Sequence, residues 1–402
     1  MKSFSPWKKK AVAFISCQGI SQFGTSVTSF SLFWYLTLRT HSGTLIALLT
    51  VCSFIPQMLI SFASGVWADR HAKKKLIIAA DGSIAFVTLL FIFAIPEVRS
   101  DSVLFALLFI VASLRSLGTG IQTPAVNAVI PDIVPEKHLM RFNGFNAMVQ
   151  SAVQFAAPAA AGALLSFSGL RTALLIDVVT AVIGIGVLSF IKLPGKRKIP
   201  EGDPRTSVSK ALREGLRYAG KNAFIGLLLL SYGVFIFLSC PVGYQSALYT
   251  SRTFGSTYWY LTAVEIVGFA GMSLGGLIIG AWGGFKKRMM TLLSGLAAFG
   301  LLSVGMGLAG DFVVYLVQML VLGIALTMIQ TAVTTLIQER VDTSMQGRVF
   351  GFENIIYCGS LSLGMVVFGP LADAFPMRAI MIGTGVAFLL LALFIRLNKN
   401  MR

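Results

Sequence analysis

Five charged residues stand inside long apolar runs: Arg115, Asp81, Asp177, Glu265 and Glu353. A full charge at the middle of a bilayer costs on the order of 3 kcal/mol unless it meets a partner or water. Desolvation favours the neutral form of a carboxyl, so each acid is a candidate proton carrier. A helical rise of about 1.5 Å per residue sets Glu265 and Glu353 about 12 Å from the outer and inner ends of their runs, and Arg115 about 16 Å from its inner end. Glu265 and Glu353 are therefore the first candidates for proton coupling, with Asp177 and Arg115 as further ones. Asp177 lies shallower on the outer side. Asp81, shallower on the inner side, is expected to contact the basic residues at 70–75. The structural alternative is an interhelical hydrogen bond for each acid and, for Arg115, an ion pair with an acid on a neighbouring helix.

The elements that must position these residues follow from composition. The 402 residues are 55% hydrophobic and 12% charged, with a mean hydropathy of +0.80. Soluble chains carry about 25% charged residues, so most side chains here never meet water. Apolar runs of about 20 residues or more, long enough to cross a bilayer as helices, fall near 12–38, 44–66, 76–95, 103–125, 142–166 and 171–191. A second set falls near 223–248, 258–283, 289–309, 312–336, 346–370 and 377–396. The expected fold is an all-α membrane protein of 12 transmembrane helices in two pseudo-symmetric six-helix bundles, residues 1–192 and 223–402, joined by a cytoplasmic linker at 193–222. In that linker, Pro194, Pro200 and Pro204 precede a stretch at 207–220 that reads as an amphipathic helix, its Lys210, Arg213 and Arg217 turned to anionic headgroups or to solvent.

A formal net charge of +17 would suggest nucleic acid on a soluble domain, but here it sorts by side. The outer loops hold only Arg39, Arg99, Arg171, Arg252 and Arg378, Arg115 lies within a run, and every other Lys and Arg falls on the inner side. Positive residues stay inside, so both termini are expected in the cytoplasm. Trp7, Trp67 and Trp282 at inner ends and Trp34 and Trp259 at outer ends fit headgroup-level indoles. The first run is too long for a signal peptide and lacks a clear small-residue cleavage site. Cys17, Cys52, Cys240 and Cys358 sit in apolar runs without metal spacing and read as reduced core residues. No cofactor or metal is expected, no Ser/His/Asp set or phosphate-binding loop suggests an enzyme, and His41, His71 and His138 fall in separate loops.

The two halves repeat each other. Ile121-Gln122-Thr123 recurs as Ile329-Gln330-Thr331, and beyond one extra residue Asp132 meets Glu339, Arg141 meets Arg348, and Gly144-Phe145 meets Gly351-Phe352. Six helices return the chain to the same side, so the halves are parallel repeats about an axis along the membrane normal, a geometry suited to alternating access.

Three motifs carry a family resemblance. Gly65, Asp69, Arg70, Lys73 and Lys74 follow the second run with the spacing of the signature loop of the major facilitator superfamily, although Ala72 replaces a glycine of that pattern. Its second-half copy, Gly276, Gly280, Gly283 and Lys286-Lys287-Arg288, has glycine where the acid would be. Gly144, Pro158 and Gly162 keep the spacing of that superfamily's antiporter motif, with Val153, Ala157 and Ala161 in place of its other glycines. Residues 115–136 and 65–75, Arg213-Glu-Gly-Leu-Arg-Tyr and Gly347-Arg-Val-Phe-Gly351 resemble the macrolide-efflux branch of the drug:proton antiporter-3 group.

The resemblance implies proton-driven export of an amphipathic drug or secondary metabolite from a bacterial cytoplasm, by a monomer in the inner membrane whose energy source is the proton gradient. It implies a latch at Asp69 and the basic loop, a coupling role for Arg115, and a cavity lined by the first, seventh and tenth spans. Gln18, Gln22, Tyr232, Tyr244, Gln245 and Gln330 are the polar candidates there. Abundant Phe (31) and Met (15) suit a large amphipathic substrate better than a sugar. A proton-independent uniporter, or an exporter of a siderophore or lipid-like compound, is the alternative.

Overall fold

In the computed structural model the described residues are 6–398 apart from 71, 136–137, 192–215, 219 and 221; within helices only the backbone is described at 6, 62–63, 65–70, 128, 131, 139–141, 143–144, 147, 343–344 and 347. The described chain is helical throughout, without strands. The expected linker helix falls mostly outside the described residues; what is described of it is a helical turn at 216–218.

The first half forms α1 (Pro6–Thr40), α2 (Gly43–Arg70), α3 (Lys73–Ala94), α4 (Asp101–Ile133), α5 (Leu139–Phe167) and α6 (Gly169–Phe190). The second forms α7 (Ala223–Ser239), a short α8 (Ser246–Thr253), α9 (Tyr258–Trp282), α10 (Arg288–Leu308), α11 (Phe312–Arg340), α12 (Thr343–Ala374) and α13 (Met377–Leu397). Among the described residues, ten helices are long and apolar enough to cross a membrane. α1 and α7 complete the twelve. α7 is apolar but has 17 residues, and α1 is diluted by polar residues, of which Gln18, Ser21, Thr28 and Ser31 are buried. A bilayer replaces water around these helices, so large apolar side chains point outward: Phe86, Leu90 and Phe93 form one exposed stripe along α3.

The seventh span differs from the sequence expectation of one run over 223–248. α7 stops at Ser239, the chain turns through 240–245, and α8 resumes at Ser246. Pro241 has no N–H to continue the ladder, and the freed groups find local partners: Gln245 N donates to Cys240 O at 2.9 Å and Gly243 N to Ser239 O at 2.8 Å.

The chain divides into two compact units, Met1–Arg39 with Leu49–Gly202, and Thr40–Leu48 with Asp203–Arg402. In the first, α3 packs on α4 and α6, and α5 on α6. One end of its core is Phe14, Ile77, Val129, Phe142 and Leu188, drawn from α1, α3, α4, α5 and α6. In the second, α10 packs on α13 and α11, α9 on α11, and α12 on α7. Phe235, Phe299 and Phe388 close its core as a triangle of rings with centroids 5.0–5.5 Å apart. A Cβ on Gly323 would come within 2.5 Å of Gly268 O, so only glycine lets α9 and α11 cross this closely. Asp373, at the end of α12, accepts from Gly43 N at 2.6 Å and Thr44 N at 2.9 Å, capping α2, while Arg252 Nη2 donates to Asp373 Oδ1 at 2.8 Å.

The repeat read in the sequence has a structural counterpart within each unit. Lys73 at the head of α3 pairs with Asp132 at the end of α4 at 2.6 Å. Arg288 at the head of α10 pairs with Glu339 at the end of α11 at 3.2 Å.

Candidate functional site

Each unit carries its own constellation of polar groups. In the first, Ser21 and Thr25 are one turn apart on α1, Asp81 and Thr88 two turns apart on α3, and Arg115 and Gln122 two turns apart on α4, so each pair shares a helix face. These faces and Asp177 of α6 meet in the bundle core as two rungs.

The upper rung is a closed ion pair. Arg115 Nη1 donates to Asp177 Oδ2 and to Thr88 Oγ1. Thr88 Oγ1 lies 3.0 Å from Asp177 Oδ2, and Thr25 Oγ1 donates to Asp177 Oδ1 at 3.1 Å. Arg115 is 5% exposed and Asp177 1%, so both charges have left the solvent and hold only because each meets the other. Of the two roles open to Arg115, the geometry supplies the acid on a neighbouring helix.

The lower rung centres on Asp81 and corrects the expectation that this acid would contact the basic residues at 70–75. Its Oδ1 accepts from Ser21 Oγ at 3.1 Å and Gln122 Nε2 at 2.5 Å. Lys73 instead reaches Asp132, and Lys74 Nζ donates to the carbonyls of Ser189 and Ile191 at 2.8 and 3.0 Å, at the negative end of α6. Asp81 lies on the inward face of α3 two turns, about 10 Å of helical rise, beyond Lys74, whose ammonium turns to the end of α6 instead.

In the second unit, Glu265 of α9 and Glu353 of α12 are half-buried, and neither has a hydrogen bond or ion pair among the described residues. Glu353 lies one turn before Tyr357, whose hydroxyl is 2.6 Å from that of Tyr244 in the unwound stretch. Tyr232 is within electrostatic reach of Glu353, and Tyr315 of Glu265. Gln245 is fully buried, with neither end of its side-chain amide hydrogen-bonded among the described residues.

The remaining polar candidates are dispersed. Gln18 is buried, with its Nε2 3.8 Å from Cys17 Sγ, while Gln22 and Gln330 are half-buried. Tyr232 packs against Phe235 in the apolar core. Gly65, Asp69 and Arg70 end α2, where only the backbone is described; His71 lies outside the described residues. Gly144, Pro158 and Gly162 all lie on α5, with Pro158 inside the helix and Gly162 O accepting from Ser166 Oγ at 2.7 Å. In the worn second copy, Gly283 adopts φ +76° and stops α9, its carbonyl held by Arg288 Nη1 at 2.6 Å. All four cysteines are free, and no cluster of His, Cys, Asp or Glu suited to a metal occurs among the described residues.

Reading the sequence missed Tyr357, Thr88 and Gln122. Two signals were present: Tyr357 follows Glu353 by one helical turn, and Gln122 is the repeat-mate of Gln330.

The comparisons agree with this architecture. The model of the Major Facilitator Superfamily matches residues 14–365. Macrolide efflux protein A of Streptococcus pyogenes is 28% identical over 383 residues, covering 93% of this chain and 92% of that protein. The protein of the same name from Enterococcus faecalis is 29% identical over 327 residues, 79% of this chain and 98% of its own length. Among solved structures, a bacterial homologue of the iron transporter ferroportin superposes with a TM-score of 0.73 at 17% identity, covering 97% of this chain and 99% of its own, a likeness of fold.

Proposed function

Because this chain belongs to the major facilitator superfamily and is therefore a multi-pass membrane transporter, not an enzyme, we propose that it exports a macrolide-like amphipathic compound in exchange for protons. The two bundles expose the binding site alternately to each side of a bacterial plasma membrane, with both termini in the cytoplasm. Likeness to the macrolide efflux proteins over most of the chain supports the substrate class.

The observation that carries the exchange reading is the contrast between the units. Asp177 is neutralised by Arg115, while Glu265 and Glu353 lie in membrane helices with no ion pair among the described residues. An acid so placed can cross between two states cheaply only by gaining and losing a proton. Glu353, one helical turn before Tyr357 and within electrostatic reach of Tyr232, is the first choice for exchanging a proton against drug, and Glu265 the second. Gln18, Gln22, Tyr232, Gln245 and Gln330 supply polar contacts to the substrate. Asp69 with Arg70, Lys73 and Lys74 latches the outward-open state, and the small residues of α5 around Pro158 permit its close packing.

Bacteria expressing the chain are expected to accumulate less erythromycin than controls, and a protonophore should abolish the difference. Export that ignores the protonophore would replace this reading with proton-independent transport.

A further inference from the structure

The lower rung of the first bundle holds a carboxyl that the exchange scheme above leaves unused. Asp81 is 3% exposed, and its two oxygens are treated unequally. Its donors Ser21 Oγ and Gln122 Nε2 both go to Oδ1, while Oδ2 is buried with no hydrogen-bond partner among the described residues. An ionised carboxylate spreads its charge over two equivalent oxygens and calls for donors on both. A neutral carboxyl asks for donors on its carbonyl oxygen alone, so two donors on Oδ1 with none on Oδ2 leave one unpaired hydroxyl in the neutral form, against an uncompensated half of a buried charge in the ionised form.

Charge balance leads to the same protonation state. The groups facing Asp81 are Ser21, with Cys17 in electrostatic reach, from α1, Gln122 from α4 and Asp177 from α6, with Arg115 of α4 bound to that Asp177. That core holds one cation and two carboxyls, and the cation is taken: Arg115 Nη1 is bound to Asp177. An ionised Asp81 would be a second negative charge in low dielectric within reach of the first, whereas a protonated Asp81 leaves the core neutral. Arg115 also keeps Nη2 buried without a hydrogen-bond partner among the described residues, on the helix that carries Gln122.

We propose that Asp81 is a proton-binding site of the first bundle, holding its proton on Oδ2 in the conformation described and releasing it during transport. Resting on the exchange reading above, this adds a proton carrier in the half of the molecule whose other acid deep within a span, Asp177, is locked in an ion pair. The proton leaves from Oδ2 to water on the cytoplasmic side, and the carboxylate left behind keeps Ser21 and Gln122 as ready donors.

The test uses the full chain reconstituted in lipid, with erythromycin as the probe. The infrared spectrum at neutral pH is expected to show the carbonyl stretch of a protonated carboxyl, and Asp81→Asn, which mimics the neutral acid, should lose it while melting near wild type. Gln122→Leu, which removes one donor to Oδ1, should shift the same band to higher frequency, a readout that survives if Asp81→Asn folds poorly. In Asp81→Asn, exchange of erythromycin between the two sides should persist while a pH gradient no longer drives net transport. A spectrum unchanged by both substitutions, or gradient-driven transport intact in Asp81→Asn, would overturn the proposal. Wild-type transport indifferent to the pH gradient would instead overturn the exchange reading, and with it the transport role of Asp81, while the band alone still decides whether Asp81 is protonated.

Discussion

Asp177 and Glu353 are both acids inside membrane helices, yet their neighbours set them to different tasks. Asp177 has a guanidinium and two threonine hydroxyls on its oxygens. Removing it strands a buried cation, so Asp177→Ala should cost about 3–5 kcal/mol, read as a lowered melting temperature in detergent. Replacing both Arg115 and Asp177 by leucine should recover most of that loss; a double variant as unstable as the single would show that the pair is not what holds the rung. The depth of the five charges was legible because residue count converts directly to distance along a helix. Their pairing was not, because one sequence does not say which way a helix is turned. Hydroxyls such as Thr25 and Thr88 escaped notice for a related reason: in a helix, Ser and Thr commonly bond their own preceding carbonyls, as Thr88 also does to Ile84 O at 2.9 Å.

At the scale of elements, the run boundaries emerged well because an apolar stretch bounded by charge has few other readings. The seventh span was the exception. Pro241 and Gly243 lie in an otherwise unbroken apolar run, and such residues are tolerated within membrane helices, so the unwinding at 240–245 shows only once the hydrogen bonds are traced. The cap on α2 was equally hidden, since Asp373 is 330 residues from the Gly43 N–H that it accepts. Asp373→Ala leaves the N–H groups of Gly43 and Thr44 without that acceptor and removes the partner of Arg252. It should destabilise the protein by about 1 kcal/mol or more, measured as earlier thermal unfolding; an unchanged melting temperature would contradict the capping role.

For the molecule as a whole, the repeat is kept where it sets architecture and relaxed where the chemistry lies. Lys73–Asp132 and Arg288–Glu339 tie corresponding helices in the two units. The polar interiors differ: the first unit closes its charges into rungs, and the second leaves two acids among tyrosines. Composition and the repeat were enough to read two bundles from the sequence, because burial in lipid constrains every residue of a span, whereas a site depends on a few contacts between helices. Uptake of erythromycin into inverted membrane vesicles under an imposed pH gradient, compared between wild type and the Glu265→Gln, Glu353→Gln double variant, tests the division of labour most directly. The wild type should respond to the gradient, and the double variant should still bind the drug but lose that response; gradient-driven uptake unchanged in the double variant would contradict the account.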